Sequence, residues 1–118
     1  MSTEWLDDDG YPSDAALAHI EKWEGPLLEL FALVRSIWQY ADIGYWSEED
    51  APADFPRKGT VRRFLVSTGG WSGNESIIRA MQKNRYVWHF SWVQSRRGGH
   101  YIFEVAQPAP PPGIVETP

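Results

Sequence analysis

Residues 60–84 read TVRRFLVSTGGWSGNESIIRAMQKN, and the reading of this stretch decides the fold. Thr60 to Thr68 has the β-branched composition of a strand. Gly69, Gly70 and Gly73 follow, residues that reach positive φ at little steric cost and let the backbone approach another group closely. Ser72 and Glu75 then have the spacing of a capping box, in which each side chain satisfies a free backbone donor. The spacing predicts a helix from about residue 73 to residue 83, closed by Asn84 as a left-handed cap.

The same stretch is a candidate place to hold a ligand. The start of a helix carries unpaired N–H groups and the positive end of its dipole, which favour phosphate or carboxylate. Gly69, Gly70, Trp71, Ser72, Gly73 and Asn74 would form the cradle, with Arg79 farther along the helix. GGWSG is neither the phosphate-loop motif nor the dinucleotide fingerprint, and Glu75 already brings negative charge to the helix end. The competing reading is a tight strand-to-helix connection with Trp71 packed against the core.

Towards the N-terminus, Ser13 opens a helix, SDAALAHIEKW, with Asp14 in its first turn and Leu17, Ile20 and Trp23 on one side. Gly25–Pro26 ends it. Pro26 suits the first position of a second, longer helix, whose Leu27, Leu30, Phe31, Val34, Ile37, Trp38 and Ala41 keep helical spacing. Residues 44–59 show no periodicity and are expected to be a loop. Residues 1–12 are expected to be an acidic arm.

Towards the C-terminus, Tyr86 to Ser95 (YVWHFSWVQS) alternates with period two, which predicts a strand burying Tyr86, Trp88, Phe90 and Trp92. After RRGG, His100 to Ala106 alternates as well. A hairpin loop of two residues (Gly98, Gly99) or of four (Arg96 to Gly99) sets Trp92 opposite Val105 or Phe103, so the apolar faces coincide either way. The expected architecture is therefore α+β: two N-terminal helices packed on the aromatic face of a small, mainly antiparallel three-stranded sheet, with a short helix between its first two strands. Residues 13–106 are expected to form the single domain, and 107–118, rich in proline, a polyproline-type tail with no means of packing by itself.

Composition narrows the chemistry. The chain of 118 residues has no cysteine, which excludes disulfides, zinc–thiolate sites and a cysteine nucleophile. No apolar run reaches the length of a membrane span, and the N-terminus lacks the basic start of a signal peptide, so a cytoplasmic location without membrane contact is expected. Three histidines (His19, His89, His100) match no metal motif, and neither metal nor cofactor is expected. Ser72 lacks the nucleophile elbow of a serine hydrolase. His89, His100 and Glu104 on one sheet face would be the best acid–base group, a weak case, so the chain is read as a binding protein rather than an enzyme.

Charge is split along the chain. The net charge of −5 is the balance of −11 over residues 1–54 and +6 over residues 55–118. Arg57, Lys58, Arg62 and Arg63 precede the glycine turn; Arg79, Lys83 and Arg85 lie on or after its helix; Arg96 and Arg97 stand at the hairpin tip, beside His100. If Arg62 or Arg63, with Arg79, Arg96 and Arg97, met the glycine turn, the result would be a phosphate cradle with Trp71 as a stacking plane, for a nucleotide or single-stranded nucleic acid. The alternative is a protein-interaction inhibitor presenting Asp7, Asp8, Asp9, Glu48, Glu49 and Asp50 to a basic partner. Charges that neutralise one another within the chain are the simplest account, and the split also permits association of copies, such as a homodimer.

The run STGGWSGNESIIRAMQKN followed by SWVQSRRGGHYIFEV resembles small accessory proteins of bacteriophages and prophages, over about residues 66–105. The resemblance implies a phage context, host cytoplasm as the location, and host proteins or counter-defence as the field of action. It carries over no functional residues.

Overall fold

The computed structural model describes residues 5–54 and 59–107. These form four α-helices and four strands: α1 (Asp14–Glu21), α2 (Leu27–Ile37), β1 (Trp46–Pro52), β2 (Thr60–Ser67), α3 (Ser72–Lys83), α4 (Arg85–Ser91), β3 (Trp92–Arg96) and β4 (His100–Ala106), with a 3-10 turn at Ala41–Ile43. The strands make one antiparallel sheet in the order β1-β2-β4-β3. No described helix is long and apolar enough to cross a membrane.

The α+β class holds, but the expected three-stranded sheet and helix count do not. The first error is β1, in the stretch expected to be a loop. It pairs with β2 along its whole length, from Trp46 opposite Val66 to Pro52 opposite Thr60. WSEEDAP lacks apolar alternation because cross-strand ion pairs stabilise this edge in place of a buried stripe: Arg62 meets Glu48 and Asp50, and Arg63 meets Glu49. The second error is residues 86–95, expected to be one strand. Asn84 accepts the Val87 N–H at 3.1 Å and starts α4, so only Trp92 onward is strand. The helical register buries Val87 and Ser91 and leaves Tyr86 and Phe90 39% and 61% exposed; of the expected aromatic face Trp88 packs part-buried against Phe103, while Trp92, on the strand, is 42% exposed.

Two cap assignments also change. Trp71, not Ser72, occupies the cap position of α3, its carbonyl accepting the Glu75 N–H at 3.0 Å. The Ser72–Glu75 capping box therefore does not form; the Glu75 carboxylate lies 3.5 Å from the Thr68 hydroxyl instead. Asn84 is extended (φ −93°, ψ 100°) rather than left-handed. At the hairpin, Arg96 pairs with His100, which leaves a three-residue loop between the two lengths considered; a bulge between Trp92 and Gln94 then restores the pairing of Trp92 with Phe103.

One face of the sheet carries the core. Trp46, Phe64, Val66, Phe103 and Val105 meet Leu30, Phe31, Val34 and Ile37 of α2, and Ile77, Ile78, Ala80 and Met81 of α3 with Val87 of α4 complete the cluster. The Ser13 hydroxyl caps α1 as expected, accepting the Ala16 N–H at 3.1 Å. The described part of the N-terminal arm folds into a turn, in which the Asp7 carboxylate accepts the N–H groups of Asp9 and Tyr11 at 2.9 Å each. Trp5 stacks on His19 and Tyr11 on Trp71, which docks the arm on α1 and α3. The proline-rich tail beyond residue 107 lies outside the described residues.

Candidate functional site

The glycine turn after β2 meets the β3–β4 hairpin loop. The Thr68 N–H donates to the Gly99 carbonyl at 2.9 Å, and Ser67 N–H to the Tyr45 carbonyl at 3.0 Å. Glycine is required on both sides of this junction. Gly69 has φ +60°, and a Cβ there would enter the Tyr45 ring; Gly99 has φ +81°, and a Cβ would collide with the Thr68 hydroxyl. Close approach of protein to protein, rather than of backbone to ligand, accounts for these two glycines.

What the junction creates is a groove of about 500 Å³ on the sheet face opposite the helices. Leu65 and Ile102, paired in register, form an apolar floor. Tyr45, Ser47 and Ser67 line one side, Arg96 and His100 the other, and no carboxylate lines it. Arg96 is oriented by its own strand, its Nε donating to the Gln94 Oε1 at 2.6 Å. Among the described residues neither Arg96 nor Arg97 is held in an ion pair. Two residues along β2 from Leu65, the face changes character: Arg63 is clamped between Glu49 at 2.8 Å and the buried Glu104 at 2.9 Å. The groove thus has a basic mouth and an acidic boundary.

Of the residues expected to hold a ligand, Gly69, Gly70, Arg96, Arg97 and His100 come together at this end of the sheet. The others do not join them. Arg62 lies at the far end of β2, on the helix-side face, bound to Glu48 at 3.0 Å and Asp50 at 2.9 Å. Arg79 is exposed on the outer side of α3, donating to the Ser76 hydroxyl. Gly73 and Asn74 are buried in the first turn of α3; the Asn74 amide accepts the Gln39 N–H at 2.9 Å and donates back to the Gln39 carbonyl at 3.2 Å, a strut between α3 and the end of α2. Ser72 lies at the start of α3, where its carbonyl accepts the Ser76 hydroxyl. Trp71 is half-buried, with Tyr11 stacked on it at 5.3 Å and Tyr40 edge-on at 5.9 Å, so Tyr11 takes the face that a base would need.

Tyr45, Ser47, Ser67, Leu65 and Ile102 are not among the residues expected from the sequence. Tyr45 and Ser47 belong to the stretch expected to be a loop, and the other three become neighbours only once β2 and β4 are in register. The alternation of β2 does contain the signal, because Leu65 and Ser67 share the face away from Phe64.

The acidic candidates divide. Asp8 and Asp9 are exposed at the arm's turn. Glu48, Glu49 and Asp50 are engaged within the chain: Glu48 also accepts the Trp46 indole N–H at 2.7 Å. The Arg62 guanidinium, with help from the Gln107 amide, holds the Asp50 carboxyl below the usual carboxylate range. Arg62 is in turn raised by Asp50 and then Glu48, and Arg63 by Glu49 and then Glu104. The lower folded-state pKa of Asp50 contributes stability in full above the unfolded value of about 3.9, and that contribution is lost as pH falls through the folded value. Acid titration of unfolding should therefore show a loss below about pH 4 that is shallower in Asp50→Asn.

The acid–base group does not assemble, since His89 sits exposed on α4 and only His100 and Glu104 share β4. Among the described residues no cluster of His, Asp and Glu is arranged to hold a metal. Neither a family model, a curated protein nor a solved structure matches the chain.

Proposed function

We propose that the protein binds, without turning over, a small phosphorylated ligand of nucleotide size in the groove at the end of the sheet. The observation that carries this is the pairing of an apolar floor, Leu65 and Ile102, with Arg96 and His100 at a mouth lined by no carboxylate. A flat, weakly polar group of the ligand lies on the floor beside the Tyr45 ring, and the guanidinium fork of Arg96 takes phosphate oxygens, with Arg97 adding charge at the tip. Single-stranded nucleic acid is the weaker ligand, because a polyanion continuing along this face meets Glu49 and Glu104. In the phage setting that the sequence resembles, sequestering a signalling nucleotide in the host cytoplasm would serve counter-defence.

A second reading has its own observation: Asp8 and Asp9 project from a turn that the Asp7 carboxylate holds together, a preorganised acidic tip for a basic protein. Glu48 to Asp50 are less suited to it, being held by Arg62 and Arg63.

Native mass spectrometry after incubation with a nucleotide-rich cell extract separates the two. The expected result is a discrete adduct of nucleotide mass, weakened about 10- to 100-fold in Arg96→Ala, the range for loss of a charge-assisted hydrogen bond. His100→Ala weakens it as well, and Arg62→Ala and Arg79→Ala leave it in place. An adduct indifferent to Arg96 and His100 would move the site elsewhere. An unliganded spectrum throughout would favour the acidic tip.

A further inference from the structure

A second groove, of about 510 Å³, opens on the helix side of the molecule between the start of α2, α4 and the end of β4. Leu27 and Leu28 form one wall, Tyr86 and Phe90 the other, and Val105 and Gln107 lie at its base. None of its lining residues carries a formal charge. It holds two of the large apolar side chains left exposed by the helical register, with Phe90 the more open of them.

The walls are set before anything enters. The Tyr86 hydroxyl donates to the Gly25 carbonyl at 2.9 Å, tying α4 to the α1–α2 connection. The Tyr86 and Phe90 rings stand 5.8 Å apart at 60°, a V of aromatic surface. Grooves walled by aromatic rings suit polyproline segments, whose extended backbone is already ordered and makes no internal hydrogen bonds.

Such a segment begins where the described chain ends. Gln107 is anchored twice, its N–H on the Thr60 carbonyl at 3.0 Å and its side-chain amide on Asp50 at 3.0 Å. The next residues are PAPPPGIV, eight without a charge, followed by ETP. In polyproline form residues 108–112 span about 15 Å, at about 3.1 Å per residue. We propose that this groove is the receptor for the chain's own proline-rich tail, taken in cis, with the Phe90 and Tyr86 rings packing on Pro110 to Pro112.

The test uses the full chain and proton NMR. Cross-peaks between the Phe90 and Tyr86 ring protons and proline side-chain protons of residues 110–112 are expected, unchanged on tenfold dilution. Phe90→Ala should abolish them and shift the backbone amides of residues 113–117, while the domain stays folded, since the Phe90 ring lies outside the core cluster. Replacing Pro110, Pro111 and Pro112 together by serine should release the groove, so that an added peptide of residues 108–118 binds at least tenfold more tightly than it does to the parent. Absence of the cross-peaks, with amides of the tail indifferent to Phe90→Ala, would overturn the proposal. So would cross-peaks that vanish on dilution, which would assign the groove to the tail of a second copy, or equal binding of the peptide to parent and serine variant, which would assign it to a foreign proline-rich partner.

Discussion

Phe31→Ala should cost about 3–5 kcal/mol, a large share of the roughly 6–18 kcal/mol of stability expected for a domain of this size. Phe31 is 1% exposed, and its ring is the hub of the sheet-side core. It stacks on Phe64 of β2 at 4.4 Å and 14°, lies 5.3 Å from Phe103 of β4 and 6.5 Å from Trp46 of β1. Three rings on three strands lose a common contact when it is removed, and strand pairing holds the backbones that carry them in place. The cavity therefore stays largely open, and a large-to-small change costs most where the site cannot collapse. Urea unfolding followed by far-ultraviolet circular dichroism should show the midpoint lowered by about 2–3 M for Phe31→Ala, at a slope of about 1.5 kcal/mol per M. Phe90→Ala, on the same phenylalanine chemistry but a ring outside the core cluster, should cost far less, about 1 kcal/mol at most. Equal losses for the two would show that the core is not centred on Phe31.

Asn84→Ala is expected to cost about 3 kcal/mol through hydrogen bonds alone, with little apolar area involved. One side chain, 6% exposed, performs two tasks. Its Oδ1 accepts the Val87 N–H and starts α4, a cap worth about 1 kcal/mol. Its Nδ2 donates to the carbonyls of Ile20 at 3.0 Å and Trp23 at 2.9 Å, which fastens the end of α1 to the α3–α4 junction. Removing the amide takes a donor from both carbonyls; the Ile20 carbonyl keeps the Trp23 N–H at 3.2 Å and the Trp23 carbonyl is part-buried, so the two lost bonds cost about 1 kcal/mol each. The midpoint of thermal unfolding should fall by roughly 10–15 °C. Asn84→Asp separates the tasks, because a carboxylate keeps the cap but faces two carbonyls with no proton to offer. It should be at least as destabilised as the alanine variant at neutral pH. A mild effect of the Asn84→Asp change would mean that the cap, not the tether, carries the energy.

The functional residues follow a different logic from these structural ones. The expected ligand site is centred on the glycine turn, whose glycines do sit at tight approaches. The group approaching Gly69 is the Tyr45 ring, those approaching Gly73 are Tyr11, Pro12 and Trp71, and Tyr11 lies over Trp71. The arginines expected to converge are sorted by partners that only the folded sheet brings: Arg62 and Arg63 are engaged by Glu48, Asp50, Glu49 and Glu104, whereas Arg96 and Arg97 escape because they stand at a hairpin tip with no acidic strand beside it. A part of the contrast between an acidic first half and a basic second half, Glu48, Glu49 and Asp50 against Arg62 and Arg63, is thus the two sides of one strand pair.

What the sequence determined by itself is the set of elements whose signals are local. The Ser13 cap and its helix, the apolar stripe of α2, the run from β2 through the glycine turn into α3, and the turn ahead of β4 could all be placed from spacing, because backbone propensity, capping and periodicity act within a few residues. Only the tertiary structure decided the rest. β1 exists because β2 offers it a pairing edge and two arginines; alone, WSEEDAP has no reason to be extended. Tyr86 to Ser91 became helix because Asn84 caps it and is itself held by the end of α1, more than 60 residues away in sequence, and that tether outweighs the strand preference of alternating aromatics. The candidate site likewise belongs to the tertiary structure, since Tyr45, Leu65, Arg96 and His100 share a face only once three strands are in register.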